Sequence, residues 1–212
     1  TEVIPLNFAI RLHDGEKKVS FLSGIGSALY CEVANFEEFL KSSEATAIVE
    51  HIVKFRNTLN DVLARFENIS LMNFRDGKIL FIAGLFNDEQ NGRTEALDSI
   101  HFVSQLTHKI DEIFNQNGMK IEMRYGLCTG GPIYTKLLMD SAPVCLASGE
   151  PISLAKMISS KCQPGQLLLE RTTYECIYGM NIDCQMAGEM DYSGKHISLY
   201  SMQIDHINDM NK

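Results

Sequence analysis

Residues 73–85 read NFRDGKILFIAGL, with Asp76-Gly77 held between Arg75 and Lys78. The pair has two readings. Asp-Gly supplies the positive-φ residues of a tight type I′ hairpin turn, which needs nothing else. Alternatively the stretch is the altered remnant of a metal-binding turn, with the Asp76 carboxylate as a ligand. The six cysteines, Cys31, Cys128, Cys145, Cys162, Cys176 and Cys184, include no C-x-x-C pair, so zinc spacing is absent. They read as reduced thiols among apolar neighbours in a cytosolic protein. The six histidines are scattered, and none pair at metal spacing; His51 and His108 read as solvent-facing helix residues. Gly130-Gly131-Pro132 lacks the G-x-x-x-x-G-K pattern of a phosphate loop and reads as a strand exit.

These residues must be positioned by the elements around them. Residues 7–21 alternate in polarity about Asp14-Gly15, which predicts a hairpin. The run SALYCEVA at 27–34 predicts a buried strand. Val49, Ile52, Val53, Leu59, Val62, Leu63 and Phe66 recur at helical spacing and predict a helix over 43–66, capped by Ser42 or Ser43. Strands at 69–74 and 79–86 flank the Asp-Gly turn. A polar loop at 87–93 leads to a second long helix at 94–117, which Gly118 ends. Ile121, Met123, Tyr125 and Leu127 alternate and predict a strand over 120–129 with one buried face. A short helix at 133–139, a strand at 144–147 and a helix at 150–160 follow. The last elements expected are a strand at 166–169, a helix at 172–178 and a strand at 197–202. The order is β-α-β-β-α-β with smaller α/β pieces after it: an α+β protein with a ferredoxin-like βαββαβ core and additional C-terminal α/β elements.

The chain has 212 residues, which fits one domain with a short appendage. It is 45% hydrophobic and 22% charged, enough to bury a real core. A formal net charge of -8 argues against nucleic acid or an anionic membrane surface as partner, since both need clustered Lys and Arg. No run approaches the ~18 apolar residues of a membrane span, and no signal-peptide pattern is present. A cytoplasmic location is expected. The first residue is Thr1, so a larger parent is expected too, including one in which this segment is the intracellular domain of a membrane protein.

Three local motifs point to a family. Residues 123–132 read MRYGLCTGGP, similar to R-x-G-I-H-T-G-P; residues 149–157 read GEPISLAKM, similar to G-D-x-V-N-x-A-x-R-M; residues 164–174 read PGQLLLERTTY, similar to P-G-x-I-x-V-S-x-x-T-Y. Together, and in this order, they resemble the class III adenylate/guanylate cyclase catalytic domain. The resemblance implies the class III nucleotidyl cyclase fold over residues 27–203, with 1–26 as an N-terminal extension or hairpin and 204–212 as a tail. It implies a reaction in which the 3′-hydroxyl of ATP or GTP attacks the α-phosphate and releases pyrophosphate, assisted by two Mg²⁺ or Mn²⁺ ions. It also implies sites shared between two chains, in a homodimer or a heterodimer with another cyclase domain.

Carried over residue by residue, the family's chemistry is altered at almost every position. The first metal carboxylate becomes Glu32, one methylene longer than Asp. The phosphate-facing Gly becomes Asn35, followed by Phe36 and Glu37. The second carboxylate position is Gly77, with Asp76 one residue displaced, and the purine-reading Lys becomes Asn73. The ribose Asn becomes Ser153, and the phosphate-binding Arg becomes Met157, or Lys156 with a one-residue gap. Lys is a point charge without the bidentate fork of Arg. Leu146 stands at the purine-selecting position, Cys128 at the family's His, and Ser193 near its phosphate Lys, with Lys195 close by. Two readings follow. One is a degenerate, metal-free homology domain in cyclic-nucleotide signalling that serves as a dimerisation or regulatory module. The other is a divergent cyclase using Glu32 and Asp76 for metal and Lys156 for phosphate, alone or as half of a heterodimer.

Overall fold

A computed structural model describes residues 4–16, 19–41, 45–87, 89–138 and 144–204. The chain opens with helix α1 (Leu6–His13) and strand β1 (Ser20–Ser23), then runs through β2 (Gly26–Val33), α2 (Phe36–Lys41) and α3 (Ala45–Leu63). The pair β3 (Ile69–Arg75) and β4 (Lys78–Ala83) leads to α4 (Arg93–Ile113), followed by a short 3-10 turn at Asn115–Asn117. Then come β5 (Met123–Gly130), β6 (Ile133–Leu138), β7 (Val144–Ser148), α5 (Glu150–Lys161), β8 (Gln166–Glu170), α6 (Arg171–Ile177), β9 (Gln185–Tyr192) and β10 (Lys195–Gln203).

The strands form two sheets, one of seven in the order β3-β4-β2-β5-β8-β10-β9 and one of three in the order β1-β6-β7. All neighbours are antiparallel except β5 and β8. One face of the large sheet lies under α3 and α4, where Leu29, Cys31, Phe81, Tyr125 and Leu127 meet Leu59, Ile100, Val103 and Leu106. Each such side chain, fully removed from water, contributes about 1.5–3 kcal/mol. The other face is covered in two parts. Helix α5 packs Leu154, Ala155 and Ile158 on Ala28, Cys128 and Leu168. Helix α1 and the small sheet pack Phe8, Ile133 and Leu137 on Met72, Leu80 and Ile82.

Several expectations are corrected. Residues 7–21 form a helix and a strand, not a hairpin: Asp14 and Gly15 close α1 by donating to Ile10 O (3.0 Å) and Leu12 O (3.0 Å). The helix expected at 133–139 is strand β6, because Ile133, Thr135 and Leu137 alternate inward while β1 and β7 pair on either side. Val49 and Val53 are 62% and 52% exposed, so the inward stripe of α3 is Ile52, Phe55, Leu59 and Val62. The proposed caps Ser42 and Ser43 lie outside the described residues. Strand β5 is buried on both faces, because α5 covers Gly126 and Cys128.

Candidate functional site at the end of strand β2

Glu32 is the penultimate residue of β2, and its cross-strand neighbours are Lys78 on β4 and Arg124 on β5. Directly opposed residues point to the same face. Arg124 brings Nη2 to 2.9 Å and Nε to 3.1 Å of the same Glu32 oxygen, Oε2. Lys78 Nζ stands 4.0 Å from the other, Oε1. The Glu32 side chain is only 16% exposed. A partly desolvated carboxylate flanked by two cations is an ion-pair network. To take a divalent cation through both oxygens it would have to release Arg124, leaving a guanidinium without its partner. Burial, and after it the same carboxylate, raise the pKa of the Tyr30 hydroxyl on this face.

The turn beside it is built by backbone conformation. Asp76 has φ 52° and Gly77 φ 71°, the two successive positive values of a type I′ turn. Asp76 is 79% exposed and pairs with Arg75 at 3.3 Å. The Gly77 carbonyl accepts from Val33 N–H at 2.8 Å, and a Cβ added at Gly77 would stand 2.6 Å from the Phe36 ring. A carboxylate side chain at position 77 therefore has no room while Phe36 keeps its place. Phe36 in turn belongs to the core cluster with Phe39 and Phe55.

Asn35 serves the loop. Its amide donates to Lys120 O at 2.9 Å and accepts from Glu122 N–H at 2.9 Å, tying the β2–α2 connection to the segment before β5. Asn73 is exposed beside an irregularity in β3, opposite Leu80, which itself opposes Tyr30; it shares the Glu32 face. Ser153 and Lys156 are exposed, one turn apart on α5. Leu146 lies on the outer face of the small sheet, 49% exposed and opposite Lys136. Lys195 pairs with Glu150 at 3.4 Å, and Ser193 sits in the β9–β10 turn with φ 50°. Cys128 is buried, and that burial, with Glu170 and Glu150 nearby, pushes its thiol well above the ordinary range.

The structure thus gathers Glu32, Asn35, Phe36, Asn73 and Asp76 around one strand end and hairpin. Ser153 and Lys156 stand on a separate helix, and Leu146 on a separate sheet. Sequence reasoning paired Glu32 with neither Lys78 nor Arg124. Both are set by strand register, which no local motif encodes. Among the described residues, no three His, Cys, Asp or Glu side chains are grouped to hold a metal ion.

This topology, a seven-stranded mixed sheet with two long helices on one face and α5 on the other, places the chain in the class of α+β nucleotide-cyclase folds. The model of the adenylate and guanylate cyclase catalytic domain matches residues 25–204, and the chain belongs to that family. Among solved structures, the guanylate cyclase domain of RhGC from Catenaria anguillulae in complex with GTP is similar, at 18% identity and a TM-score of 0.74, covering 85% of this chain and 97% of that one. A dimeric guanylyl cyclase domain of the RhoGC fusion protein from Blastocladiella emersonii matches at 16% and 0.73, covering 88% and 98%. The adenylyl cyclase CyaB from P. aeruginosa matches at 16% and 0.72, covering 88% and 96%. At these identities the likeness is one of fold. No curated protein matches the chain. No helix among the described residues is long and apolar enough to cross a membrane.

Proposed function

We propose that this chain is a catalytically degenerate cyclase homology domain that acts as a dimerisation or regulatory module in cyclic-nucleotide signalling. One observation carries the reading: Glu32 is engaged by Arg124 and Lys78, while the turn that should bring a second carboxylate holds Gly77 under Phe36 and leaves Asp76 paired outward with Arg75. These residues do not fit a two-carboxylate metal pair, and Mg²⁺ in particular demands near-ideal ligand geometry. Purified domain given ATP or GTP with excess Mn²⁺, over a range of protein concentrations, is expected to make neither cyclic AMP nor cyclic GMP. Product that rises faster than linearly with protein would overturn the reading and establish an active dimer.

A second reading is supported by the exposure of Ser153 and Lys156 on α5. They would then complete the site of another cyclase chain. That reading expects activity on mixing with a chain that carries metal carboxylates, and a stable complex with no gain in rate would defeat it.

A further inference from the structure

One end of the large sheet is open. Its strand order ends at β9, so the outer N–H and C=O groups of Gln185–Tyr192 have no strand partner among the described residues. Strand β9 carries no Lys, Arg or Pro, the residues that blunt such an edge. Its register with β10 sets the two faces, because opposed residues point the same way. Met190 opposes Ile197, and both pack with Leu199 and Tyr192 on the α5 side. Met186, Glu189 and Asp191 oppose Tyr200, Ser198 and His196 on the other side, where Tyr200 packs against the core under α3 and α4.

An aromatic platform adjoins this edge. Tyr174 of α6 stacks on Tyr200 with centroids 4.0 Å apart and planes 7° from parallel, and Tyr178 meets Tyr174 at 5.9 Å and 72°. Tyr178, Met180 and Met186 are 70%, 37% and 63% exposed. Tyrosine gives rigid amphipathic contact area and methionine adapts to what it meets, and both are enriched where proteins touch. Carboxylates stand beside the platform. Asp183, just before β9, and Glu189 on it are exposed and make no ion pair among the described residues, and Asp191 pairs with His196.

We infer that the β9 edge is a docking site for an extended segment of another protein, one in which Lys or Arg alternates with apolar residues. Only an added strand satisfies the backbone groups of an open edge along their length. The side chains of β9 specify the rest. Glu189 and Asp191 meet the basic residues on one face, Met190 and Tyr192 meet the apolar ones on the other, and Met186 with the tyrosines anchors one end. Charge selects a foreign strand over a second copy. Antiparallel pairing of β9 with itself sets Glu189 and Asp191 opposite or diagonal to their own equivalents, and like charges so placed destabilise a sheet. The same carboxylates turn away nucleic acid and anionic lipid. Glu32 lies on the opposite face of the sheet, with Ala28 under α5, so this surface can be tested apart from any question of catalysis.

The probe is a short fluorescein-labelled peptide of alternating Lys and Val, read by fluorescence anisotropy against the whole chain. Matched peptides carry Glu in place of Lys, or N-methyl groups on the backbone nitrogens that face the edge. The Lys–Val peptide is expected to bind, and Glu189→Lys with Asp191→Lys to weaken it by at least about tenfold. Glu50→Lys with Glu67→Lys makes the same change in net charge at exposed sites elsewhere, and should weaken it far less. Met186→Ala alters an exposed side chain without touching the charges, and it should weaken binding even if the charge reversal disturbs the hairpin. Bound peptide should slow amide exchange within 185–192 and leave 69–75, the opposite edge, unchanged. No binding, equal binding of the Glu or N-methylated peptide, equal loss in the two charge-reversed chains, or full affinity in Met186→Ala overturns the proposal. A wild-type dimer in sedimentation velocity that Glu189→Lys with Asp191→Lys dissolves would show that a second copy covers the edge, and overturns it as well.

Discussion

Gly126 and Gly77 both stand where a glycine lets something approach the large sheet, yet they do opposite things for the family's chemistry. At Gly126 an added Cβ would come within 2.3 Å of Ala155 O and 2.5 Å of Ser159 N, so this glycine lets α5 lie directly on β5. At Gly77 the approaching group is the Phe36 ring, and it fills the place where the proposed reading would put a second carboxylate. The region from β5 through α6 matches the family motifs at Gly126 and Gly149, and Glu170, where the motif has Ser, caps α6 by accepting from Thr172 and Thr173 N–H at 2.7 and 2.6 Å. The β2 end and its hairpin have kept the turn and changed the charges. On the proposed reading, the features that define this family's fold persist here while those that perform its reaction are altered.

The comparison breaks most readily at Gly126. Its would-be neighbours are backbone atoms of a helix and cannot swing aside. Gly126→Ala is expected to cost about 3 kcal/mol or more, as overpacking against rigid structure does. The urea midpoint should fall with the slope unchanged. A shift below about 1 kcal/mol would mean that α5 is loosely held and that packing does not explain the half of the comparison that matches the family motifs.

The next effect lies across β2 and β5. Arg124→Ala leaves Glu32 mostly buried with only the distant Lys78 as counter-charge, and is expected to cost about 2 kcal/mol. Glu32→Gln with Arg124→Met should recover most of that loss, because neither variant side chain then leaves an unpaired charge. If Glu32 were instead a metal ligand, Arg124→Ala would free it. Added Mn²⁺ would then raise the unfolding temperature of that variant above its metal-free value, and the present reading expects no such rise.

Gly77→Asp supplies the carboxylate that the proposed reading finds missing, and a smaller loss is expected, about 1–2 kcal/mol. It combines positive φ at a non-glycine residue with the contact to Phe36. The added Phe36→Ala should relieve the contact but remove a core ring, so the double variant should show coupling between the two sites without restoring activity. Thermal denaturation of both single variants and the double variant measures that coupling.

How much of this was legible in the sequence divides along the same line. The long helices, the β3–β4 hairpin and the three family motifs were readable, because each is a local pattern of spacing or turn chemistry. Asp76-Gly77 read correctly as a type I′ turn for that reason. Strand β6 was misread because Ile133–Leu138 is short and follows Gly-Pro, and its strand character comes from partners at 20–23 and 144–148 that are distant in the sequence. Strand β9 was missed because its residues are mostly exposed and carry little alternation. At the site, Glu32 was visible as a carboxylate. Its state was not, since Lys78 and Arg124 reach it only through the register of two antiparallel pairs.

The smallest expected effect concerns the thiols, and it tests whether the packing region has kept any nucleophile. Cys128 stands where the family carries a histidine, and burial raises its thiol far out of the physiological range. Burial also raises Cys145 to about 11 and, with Asp183 beside it, Cys184 to about 11. A raised thiol pKa in the folded state means that the protonated form is the one the fold accommodates. Its stabilising contribution is complete below the unfolded value of about 8.5 and fades as pH climbs toward 11. Stability should thus hold near neutrality and decline between about pH 8.5 and 11. Disulfide-exchange labelling of the folded chain should be slow at pH 7.5 and accelerate through that same window, with the buried Cys31 and Cys128 reacting last. Rapid, selective labelling of Cys128 at neutral pH would place an activated thiolate beside α5, and the packing half of the molecule would then carry chemistry of its own.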